Sequence, residues 1–205
     1  MQGKFITLEG IEGSGKSTGM NDIATILKEN SIDFITTKEP GGGPLGKALR
    51  PLLLNETSII TDDVELLLMM ADRKDHLDNV VLPNLNKGTW VLSDRYLDST
   101  YAYQGGGRQI DTEIIDQLSD ILNFPKPHLT LLFDLPPEEA IKRAKRRSAL
   151  DRFEKEPIDF HTKIRNSYIQ LANNETNRFK IIDSSKDFEG VKSQVVFAIK
   201  DFLNV

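Results

Sequence analysis

The chain has 205 residues, no cysteine and 39% hydrophobic residues, a composition typical of one soluble globular domain with a sizeable core. Its 26 Lys and Arg residues are outnumbered by 31 Asp and Glu residues, and the net charge of -5 disfavours attraction of the whole surface to nucleic acid or an anionic membrane. The lack of cysteine excludes disulfides and thiolate metal sites, and no apolar run is long enough to span a membrane. A predicted strand begins within a few residues of the start, so we expect no signal peptide and a cytoplasmic location.

Strands and helices are predicted to alternate along the chain. From the start to residue 88, the patterns predict a strand at Lys4–Glu9, a loop at Gly10–Gly15, a helix from Lys16 through Asn30, a strand at Asp33–Glu39, a helix through Ala48 and Leu53, and a long helix from Asp62 or Asp63, near its N-cap, through Leu85. Beyond residue 88 they predict a strand at Thr89–Asp94, a loop at Gly105–Gly107, a helix from Asp111, a strand at His128–Leu135, a helix opened by Pro136-Pro137, a strand at Arg178–Asp183 and a helix at 190–203. This alternation predicts an α/β fold, with a five-stranded parallel sheet between two layers of helices.

The first loop has the spacing of a phosphate cradle. Gly10-x-x-x-x-Gly15-Lys16-Ser17 matches G-x-x-x-x-G-K-[ST], and it lies between a predicted strand and a predicted helix. Backbone N–H groups and the helix N-terminus would bind the phosphates, Lys16 would reach the β and γ phosphates, and the Ser17 hydroxyl would serve Mg²⁺. The residues predicted to bind the nucleotide are Gly10, Ile11, Glu12, Gly13, Ser14, Gly15, Lys16, Ser17 and Thr18. Glu12 is unexpected there, because its carboxylate lies within a loop that should receive a polyanion.

The cradle predicts a nucleoside triphosphate and Mg²⁺ but leaves the phosphoryl acceptor open. Transfer to water would make the chain an ATPase or a switch GTPase, and transfer to a second small molecule would make it a kinase. A guanine-reading N-K-x-D segment is missing, since the one Asn-Lys pair continues as Gly88-Thr89. This absence disfavours a switch protein.

Asp94-Arg95-Tyr96 ends the third predicted strand, where an acceptor site is expected. Asp94 is positioned to hold Mg²⁺ directly or through water, and Arg95 to clamp a phosphate. The alternative is that Asp94 caps the next helix and that Arg95 is solvated.

Two further polar residues are candidates for reading a nucleobase. Arg73 follows a mostly apolar run in the long helix, and it is either a surface arginine or a base-reading one. The Gln104 amide donates and accepts hydrogen bonds at once, which suits the edge of a base.

The basic stretch 142–152 contains Lys142, Arg143, Lys145, Arg146, Arg147 and Arg152. It fits a solvated helix face, a nucleic-acid patch or a mobile lid whose arginines close over the transferring phosphoryl group. The acidic chain disfavours nucleic acid, and the cradle favours the lid.

Over essentially its whole length, the sequence resembles the thymidylate kinases. The resemblance rests on "TLEGIEGSGKST", "TTKEPGGGPLG", "LSDRYLDSTYAYQGGGR" and "LDRFEKE", in this order. It is most similar to the bacterial subgroup with glycine in the cradle, here Gly13, and a catalytic arginine in the lid, here Arg147 or Arg152. The resemblance implies a nucleoside-monophosphate-kinase-like fold with a lid at about 142–154, and ATP-dependent phosphorylation of dTMP to dTDP. It also implies a homodimer, while the acidic net charge predicts no nucleic-acid or membrane partner.

The resemblance also implies roles for individual residues. Glu12 would accept a hydrogen bond from the deoxyribose 3′-hydroxyl, which explains its place in the cradle. Arg95 would act in catalysis with Lys16 and the lid arginines, and Arg143 would lie near adenine. The dTMP site would comprise Glu12, Glu39, Arg50, Met69, Arg73, Arg95, Thr100, Tyr103 and Gln104, with Ser17 and Asp94 at the metal.

Two residues depart from the family pattern. Lys38 stands where arginine is usual, so a planar fork is replaced by a point charge. Met69 stands where a phenylalanine usually stacks on thymine, and it predicts a less defined platform for the base. The nearest alternative is therefore a related kinase that acts on another nucleotide or on a nucleoside.

Overall fold

A single parallel sheet forms the centre of the protein. The computed structural model describes residues 3–147 and 150–204. The strands are β1 (Phe5–Glu9), β2 (Phe34–Lys38), β3 (Trp90–Asp94), β4 (Leu129–Asp134) and β5 (Phe179–Asp183). All neighbours pair in parallel, in the order β2-β3-β1-β4-β5. The predicted α/β fold with five parallel strands is thus confirmed.

Helical segments connect the strands, in the order expected for a parallel sheet. The α-helices are α1 (Lys16–Glu29), α2 (Gly46–Leu54), α3 (Asp62–His76), α4 (Leu82–Asn86), α5 (Leu97–Thr100), α6 (Thr112–Leu122), α7 (Pro137–Arg147), α8 (Ile158–Asn174) and α9 (Phe188–Leu203). Two π-helical turns are π1 (Leu77–Val81), between α3 and α4, and π2 (Tyr101–Gly107), after α5. Within the two described ranges, no helix combines the length and the apolar character needed to cross a membrane.

The core lies on both faces of the sheet. Ile6 and Leu8 of β1 pack with the buried residues of α1 and α9 on one face. Phe5 points to the other face, where it packs against π1, and Leu132 of β4 packs there against α8. Because strand side chains alternate between faces, one buried strand stabilises both helical layers. Each fully buried side chain of this size contributes about 1.5–3 kcal/mol.

The structure confirms that the long helix begins at Asp62, next to its N-cap, but divides the predicted helix into α3, π1 and α4. Thr61 is the N-cap residue, and its side chain makes no capping hydrogen bond. Asp62 and Asp63, predicted near the cap, lie in the first turn together with Glu65. Their negative charges stabilise the positive end of the helix dipole, so the carboxylates act there without capping the backbone.

The predicted glycine loop at residues 105–107 is wrong, because these residues complete π2. Helix α8 has no counterpart among the predicted elements, although Phe160, Ile164, Tyr168 and Ala172 recur at four-residue spacing and are buried. Glycine allows π2 to approach α8 closely: a Cβ on Gly106 would lie 2.7 Å from Cβ of Ser167. Local propensity predicts a loop for three glycines, and packing against α8 overrides it.

We therefore expect Gly106→Ala to lower the free energy of unfolding by about 1–3 kcal/mol, because the new methyl group would force π2 away from α8. The matched control is Gly105→Ala, whose Cβ would lie 3.3 Å from the flexible end of Ile115. It should stay within about 1 kcal/mol of the wild type. Urea denaturation measures both, and equal losses in the two variants would contradict the close packing of π2 on α8.

Candidate active site

The site lies where the strand order reverses. Chain connections leave β1 and β3 in opposite directions, and ligands of such sheets bind outside the carboxyl ends of strands at this point. Leu8 of β1 pairs with Asp94 of β3, so the loops after the two strands are neighbours. A cavity of about 380 Å³ opens there. It is lined by Glu12, Gly13, Gly15, Lys16, Ser17, Thr18, Lys38, Glu39, Pro40, Arg50, Leu54, Met69, Arg73, Asp94, Arg95, Ser99, Thr100, Tyr103, Gln104, Arg143, Asp151 and Phe153.

The cradle forms one end of this cavity. Gly13 has φ +78°, and a Cβ there would lie 2.4 Å from the carbonyl oxygen of Ala140 in α7. A side chain is therefore excluded at Gly13 on both conformational and steric grounds. Gly10, Ile11 and Ser14 belong to the loop but do not line the cavity. The buried hydroxyl of Ser14 has no hydrogen-bond partner among the described residues.

Lys16 begins α1 and folds back over the loop. Its Nζ donates hydrogen bonds to the carbonyl oxygens of Gly10, at 2.8 Å, and Ile11, at 3.0 Å. Burial, with the nearby positive charge of Arg95, lowers the pKa of Lys16 to about 8. A buried cation beside another cation is electrostatically suited to receive an anionic ligand.

Glu12 points toward Arg95 and Tyr103. Its Oε1 accepts a hydrogen bond from Arg95 Nη2 at 2.7 Å. The Tyr103 hydroxyl donates one bifurcated hydrogen bond to the two carboxylate oxygens, with O···O distances of 2.8 and 2.7 Å. Burial alone would raise the pKa of Glu12, but Arg95, Lys16 and the Tyr103 hydrogen bond outweigh it and lower the pKa. The carboxylate in the cradle loop is therefore ionised and paired.

Asp94 and Ser17 fit a magnesium ion by their chemistry. Asp94 lines the cavity at the end of β3, and its buried Oδ1 has no partner in the described ranges. Ser17 is exposed at the start of α1 on the same cavity. Magnesium takes oxygen ligands and is usually held by one or two protein groups, several waters and substrate phosphates. The described residues contain no cluster of three or more His, Cys, Asp or Glu side chains that could hold a metal.

Arg95 connects the cradle to the acceptor side. Its backbone has φ +75°, and its Nη1 donates to Ser99 Oγ at 3.2 Å and to Tyr168 Oη at 3.1 Å. Its other contacts, to Glu12 and Tyr103, hold the second nitrogen. A planar guanidinium fixed from both ends is preorganised to bind a phosphate.

Behind Arg95, Glu9 holds the chain after β3 in place. Its carboxyl group accepts hydrogen bonds from the backbone N–H of Tyr96 at 2.8 Å, Ser99 Oγ at 2.6 Å and Tyr168 Oη at 2.9 Å. Burial, followed by the nearby charge of Asp98, raises the pKa of Glu9 to about 7. These hydrogen bonds offset the energetic cost of the positive φ of Arg95, the residue before Tyr96.

Arg73 is buried at the base of the cavity, which excludes the alternative of a surface arginine. It is 2% exposed, and its Nε donates to Glu39 Oε2 at 2.7 Å. Its Nη1 donates to Thr100 Oγ1 at 2.7 Å, and its Nη2 donates to the carbonyl oxygen of Tyr96 at 3.0 Å. The other Glu39 oxygen pairs with His76 Nδ1 at 2.8 Å. Arg73 is thus fixed by three elements and still lines the cavity.

The far end of the cavity is mostly apolar. Met69 of α3, Leu54 of α2 and Phe153 line it, together with the buried amide of Gln104. Phe153 stands edge-on to Tyr103, with ring centroids 5.6 Å apart. Apolar walls with a few fixed polar groups are typical of pockets for small organic ligands.

Comparison with known proteins agrees with this geometry. Residues 8–195 match the family model described as thymidylate kinase. A thymidylate kinase of Carboxydothermus hydrogenoformans is 45% identical over 99% of this chain and 98% of its own length, and one of Marinomonas sp. is 45% identical over 95% and 93%. A crystal structure of thymidylate kinase from Ehrlichia chaffeensis superposes with a TM-score of 0.78, at 30% identity, over 98% of this chain and 99% of that chain.

The chain belongs to the thymidylate kinase family. The family confirms the resemblance read from the motifs and the predicted activity, the ATP-dependent phosphorylation of dTMP to dTDP. It also agrees with the paired loops after β1 and β3, since a kinase must bring a nucleotide and its acceptor into one cavity.

The predicted lid residues of this family member are only partly at the cavity. Arg143 lines it and lies 3.6 Å from Glu139. Arg147 ends α7, and its side chain lies outside the described part of the structure, as do residues 148 and 149. Arg152 does not line the cavity: its Nη1 pairs with Glu65 at 2.7 Å, and its Nε donates to the carbonyl oxygen of Leu53 at 2.9 Å. In this conformation Arg152 is held at α2 and α3, away from the cradle.

Several residues of the site were not predicted as site residues. Ser99, Leu54, Asp151 and Phe153 line the cavity, and Tyr168 orders Arg95 from behind. The sequence carries a signal for Tyr168, namely its place in the four-residue repeat of buried residues along α8. No local pattern indicates that its hydroxyl reaches the chain after β3, because that contact spans 73 residues.

We expect Tyr168→Phe to lower kcat/KM for dTMP about tenfold, because a lost hydrogen bond to a charged group is worth about 1.5–3 kcal/mol. The ring would still fill the core, so the circular dichroism spectrum should not change. Tyr101→Phe is the matched control, since its hydroxyl donates to Asp116 outside the cavity. An unchanged kcat/KM in Tyr168→Phe would show that Arg95 does not depend on this hydroxyl.

Proposed function

We propose that the cavity binds ATP at the cradle and dTMP at its apolar end, and that it transfers the γ-phosphoryl group between them. The observation that carries this proposal is the opening of the cradle and the Arg95 cluster into one cavity. The mobile part of the machinery would be a lid at about residues 142–154 on a single kinase domain.

In this proposal the chain acts mainly by positioning and by charge. Lys16 and the backbone N–H groups at the start of α1 bind the β and γ phosphates. Asp94 and Ser17 would hold Mg²⁺, which would supply positive charge to the phosphates when bound. Arg95 and Arg50, which both line the cavity, bind the dTMP phosphate. Glu39 completes this end by fixing Arg73.

The reaction needs no general base from the protein. The acceptor phosphate is already largely ionised near neutral pH. One of its oxygens forms a bond to the γ-phosphorus while the bond from that phosphorus to the β–γ bridging oxygen breaks. The products are dTDP and ADP, and the positive charge of Lys16 and Arg95 stabilises the charge that develops in line.

The sugar and the base would be recognised by residues that the structure already holds rigid. Glu12 accepts a hydrogen bond from the 3′-hydroxyl in this proposal, and Tyr103 lies under the sugar, where it disfavours a 2′-hydroxyl. Arg73 reads the O4 edge of thymine, while Thr100 and Gln104 meet the N3 edge. The support is the burial of Arg73, Thr100 and Gln104 on the cavity wall.

Met69 lies beside the base in this proposal. It is half-buried on the cavity wall and packs against the cluster that contains Phe153. A flexible thioether would tolerate variation in the base more readily than a phenyl ring. Restoring the ring with Met69→Phe should lower the KM for dTMP, and an unchanged or higher KM would contradict this role.

A homodimer is proposed from the resemblance to the family and from the outward face of α3. Leu66 and Met70 of this helix are buried in the core, but Leu67 is 55% exposed and Val64 is 45% exposed. Burial of these side chains against a second copy would stabilise the dimer. A monomer in sedimentation equilibrium at micromolar concentration would contradict it. The cytoplasmic location stays a prediction of the sequence.

The proposed function predicts product formation with one acceptor above the others. Purified protein, ATP and Mg²⁺ should form dTDP from dTMP much faster than they form products from dCMP or thymidine. The products are identified by chromatography. Comparable turnover of dUMP would show that the base pocket does not require the thymine methyl group. ATP hydrolysis that is independent of any acceptor would favour an ATPase instead.

The lid is tested separately. Arg143 lies on the cavity, and Arg147 and Arg152 are the predicted catalytic arginines. We expect Arg147→Ala or Arg152→Ala to lower kcat more than it raises KM, because a lid arginine acts on the developing charge of the transition state. Lys145→Ala, an exposed change in the same helix, serves as the control. An unchanged kcat in both arginine variants would show that these lid arginines have no catalytic role.

A further inference from the structure

Glu65 is a buried carboxylate just behind the base end of the cavity, and neither the motifs nor the proposed mechanism uses it. It lies in the first turn of α3 and is 0% exposed. Its Oε1 accepts a hydrogen bond from Gln104 Nε2 at 2.8 Å. Its Oε2 lies 2.7 Å from Arg152 Nη1 and 3.1 Å from Arg108 Nη2.

The two arginines fix the chemical state of Glu65. A guanidinium group does not lose its proton in a protein, so both neighbours remain cations and donors. Guanidinium nitrogens donate to both oxygens of Glu65, since Arg108 Nε also donates to Oε1 at 3.3 Å, and an oxygen that receives such a donor acts as an acceptor. Glu65 is therefore a pure acceptor toward all its partners.

This state decides which way the Gln104 amide faces. An amide beside a pure acceptor must turn its NH₂ group toward it, and the carbonyl oxygen then points the other way. Gln104 is 1% exposed and lines the cavity, and its carbonyl oxygen has no partner in the two described ranges. The amide thus offers the cavity an acceptor in place of a donor.

The geometry points to Glu65 as a specificity-determining residue: it positions the Gln104 amide so that the site accepts a base with a donor at N3 and rejects one with an acceptor there. This inference rests on the proposed function and names how the base is selected. Thymine and uracil carry N3–H, whereas N3 of cytosine is a bare acceptor. A cytosine N3 would face the Gln104 oxygen with no hydrogen between them, and a buried unpaired acceptor is costly.

Glu65 is a positioning residue, because it acts through Gln104 and does not line the cavity. The same carboxylate also fastens the end of the predicted lid segment through Arg152. Base selection and the anchoring of that segment therefore share one buried charge. A purely structural role would predict loss of stability alone, with all bases affected alike.

The test is Glu65→Gln, which keeps the shape and removes the charge. The carbonyl oxygen of the new amide would stay with Arg152 Nη1 and Arg108 Nη2, the two donors at Oε2. Its NH₂ group would then replace Oε1, facing Gln104 and displacing Arg108 Nε, which now donates to Oε1 at 3.3 Å. Gln104 would then turn its own carbonyl toward residue 65 and present a donor to the cavity. We expect the ratio of kcat/KM for dTMP to that for dCMP to fall about tenfold or more, while the ratio for dTMP to dUMP stays the same.

Glu156→Gln is the matched control. Glu156 Oε1 accepts from Arg108 Nη1 at 2.6 Å, so this change removes one charge from the same arginine without touching Gln104. It should leave the dTMP to dCMP ratio unchanged. A fall of equal size in both variants would mean that the local charge, and not the orientation of the amide, sets the ratio, and it would overturn the inference.

A double-mutant cycle separates positioning from stability. If Glu65 acts through Gln104, Glu65→Gln should have no further effect on the dTMP to dCMP ratio in a Gln104→Leu background. Thermal melting of all variants shows whether each one folds. An effect of the same size in both backgrounds, or an unchanged ratio in folded Glu65→Gln, would overturn the inference. If the wild type does not phosphorylate dTMP at all, the proposed function fails instead.

Discussion

The parallel pairing of β1 with β3 is the constraint on which the rest of the site depends. Leu8 opposite Asp94 sets the loops after the two strands side by side. One loop is the cradle and the other carries Arg95, so these two groups of residues open into one cavity. A sheet whose order reverses at this point leaves a crevice there, and the helices on both faces leave it open.

These neighbouring loops place Lys16, Arg95 and Glu12 in a small buried volume. The repulsion between the two cations is reduced because the carboxylate lies near both. Glu12 sits between Arg95 and the Tyr103 hydroxyl, and it offsets part of the repulsion between Arg95 and Lys16. Isolated buried charges would cost several kcal/mol each, whereas paired and hydrogen-bonded ones are tolerated. The carboxylate in the cradle loop thus belongs to the acceptor side electrostatically as well as spatially.

The base end follows a different rule, in which polar groups are fixed by partners behind the cavity wall. Glu39 and Tyr96 hold Arg73, and Glu65 holds Gln104. Arg73 and Gln104, the proposed readers of the base, therefore have few orientations left before a ligand arrives. Such preorganisation reduces the entropy lost on binding and turns hydrogen-bond direction into selectivity. Helix α8 serves the same purpose for Arg95 through Tyr168.

The sequence by itself determined the alternation of strands and helices, the cradle from Gly10 to Ser17, and the family, because these depend on local periodicity and on residue spacing. The sequence patterns did not predict α8, and they predicted a loop at residues that form the end of π2. Three consecutive glycines favour a loop, but close packing against α8 keeps them helical. The tertiary structure alone decided which partners hold Glu12 and Arg73, and that Arg152 is attached to Glu65. Each of these depends on a partner dozens of residues away in the chain, and the geometry of such long-range contacts is set by packing rather than by any local pattern.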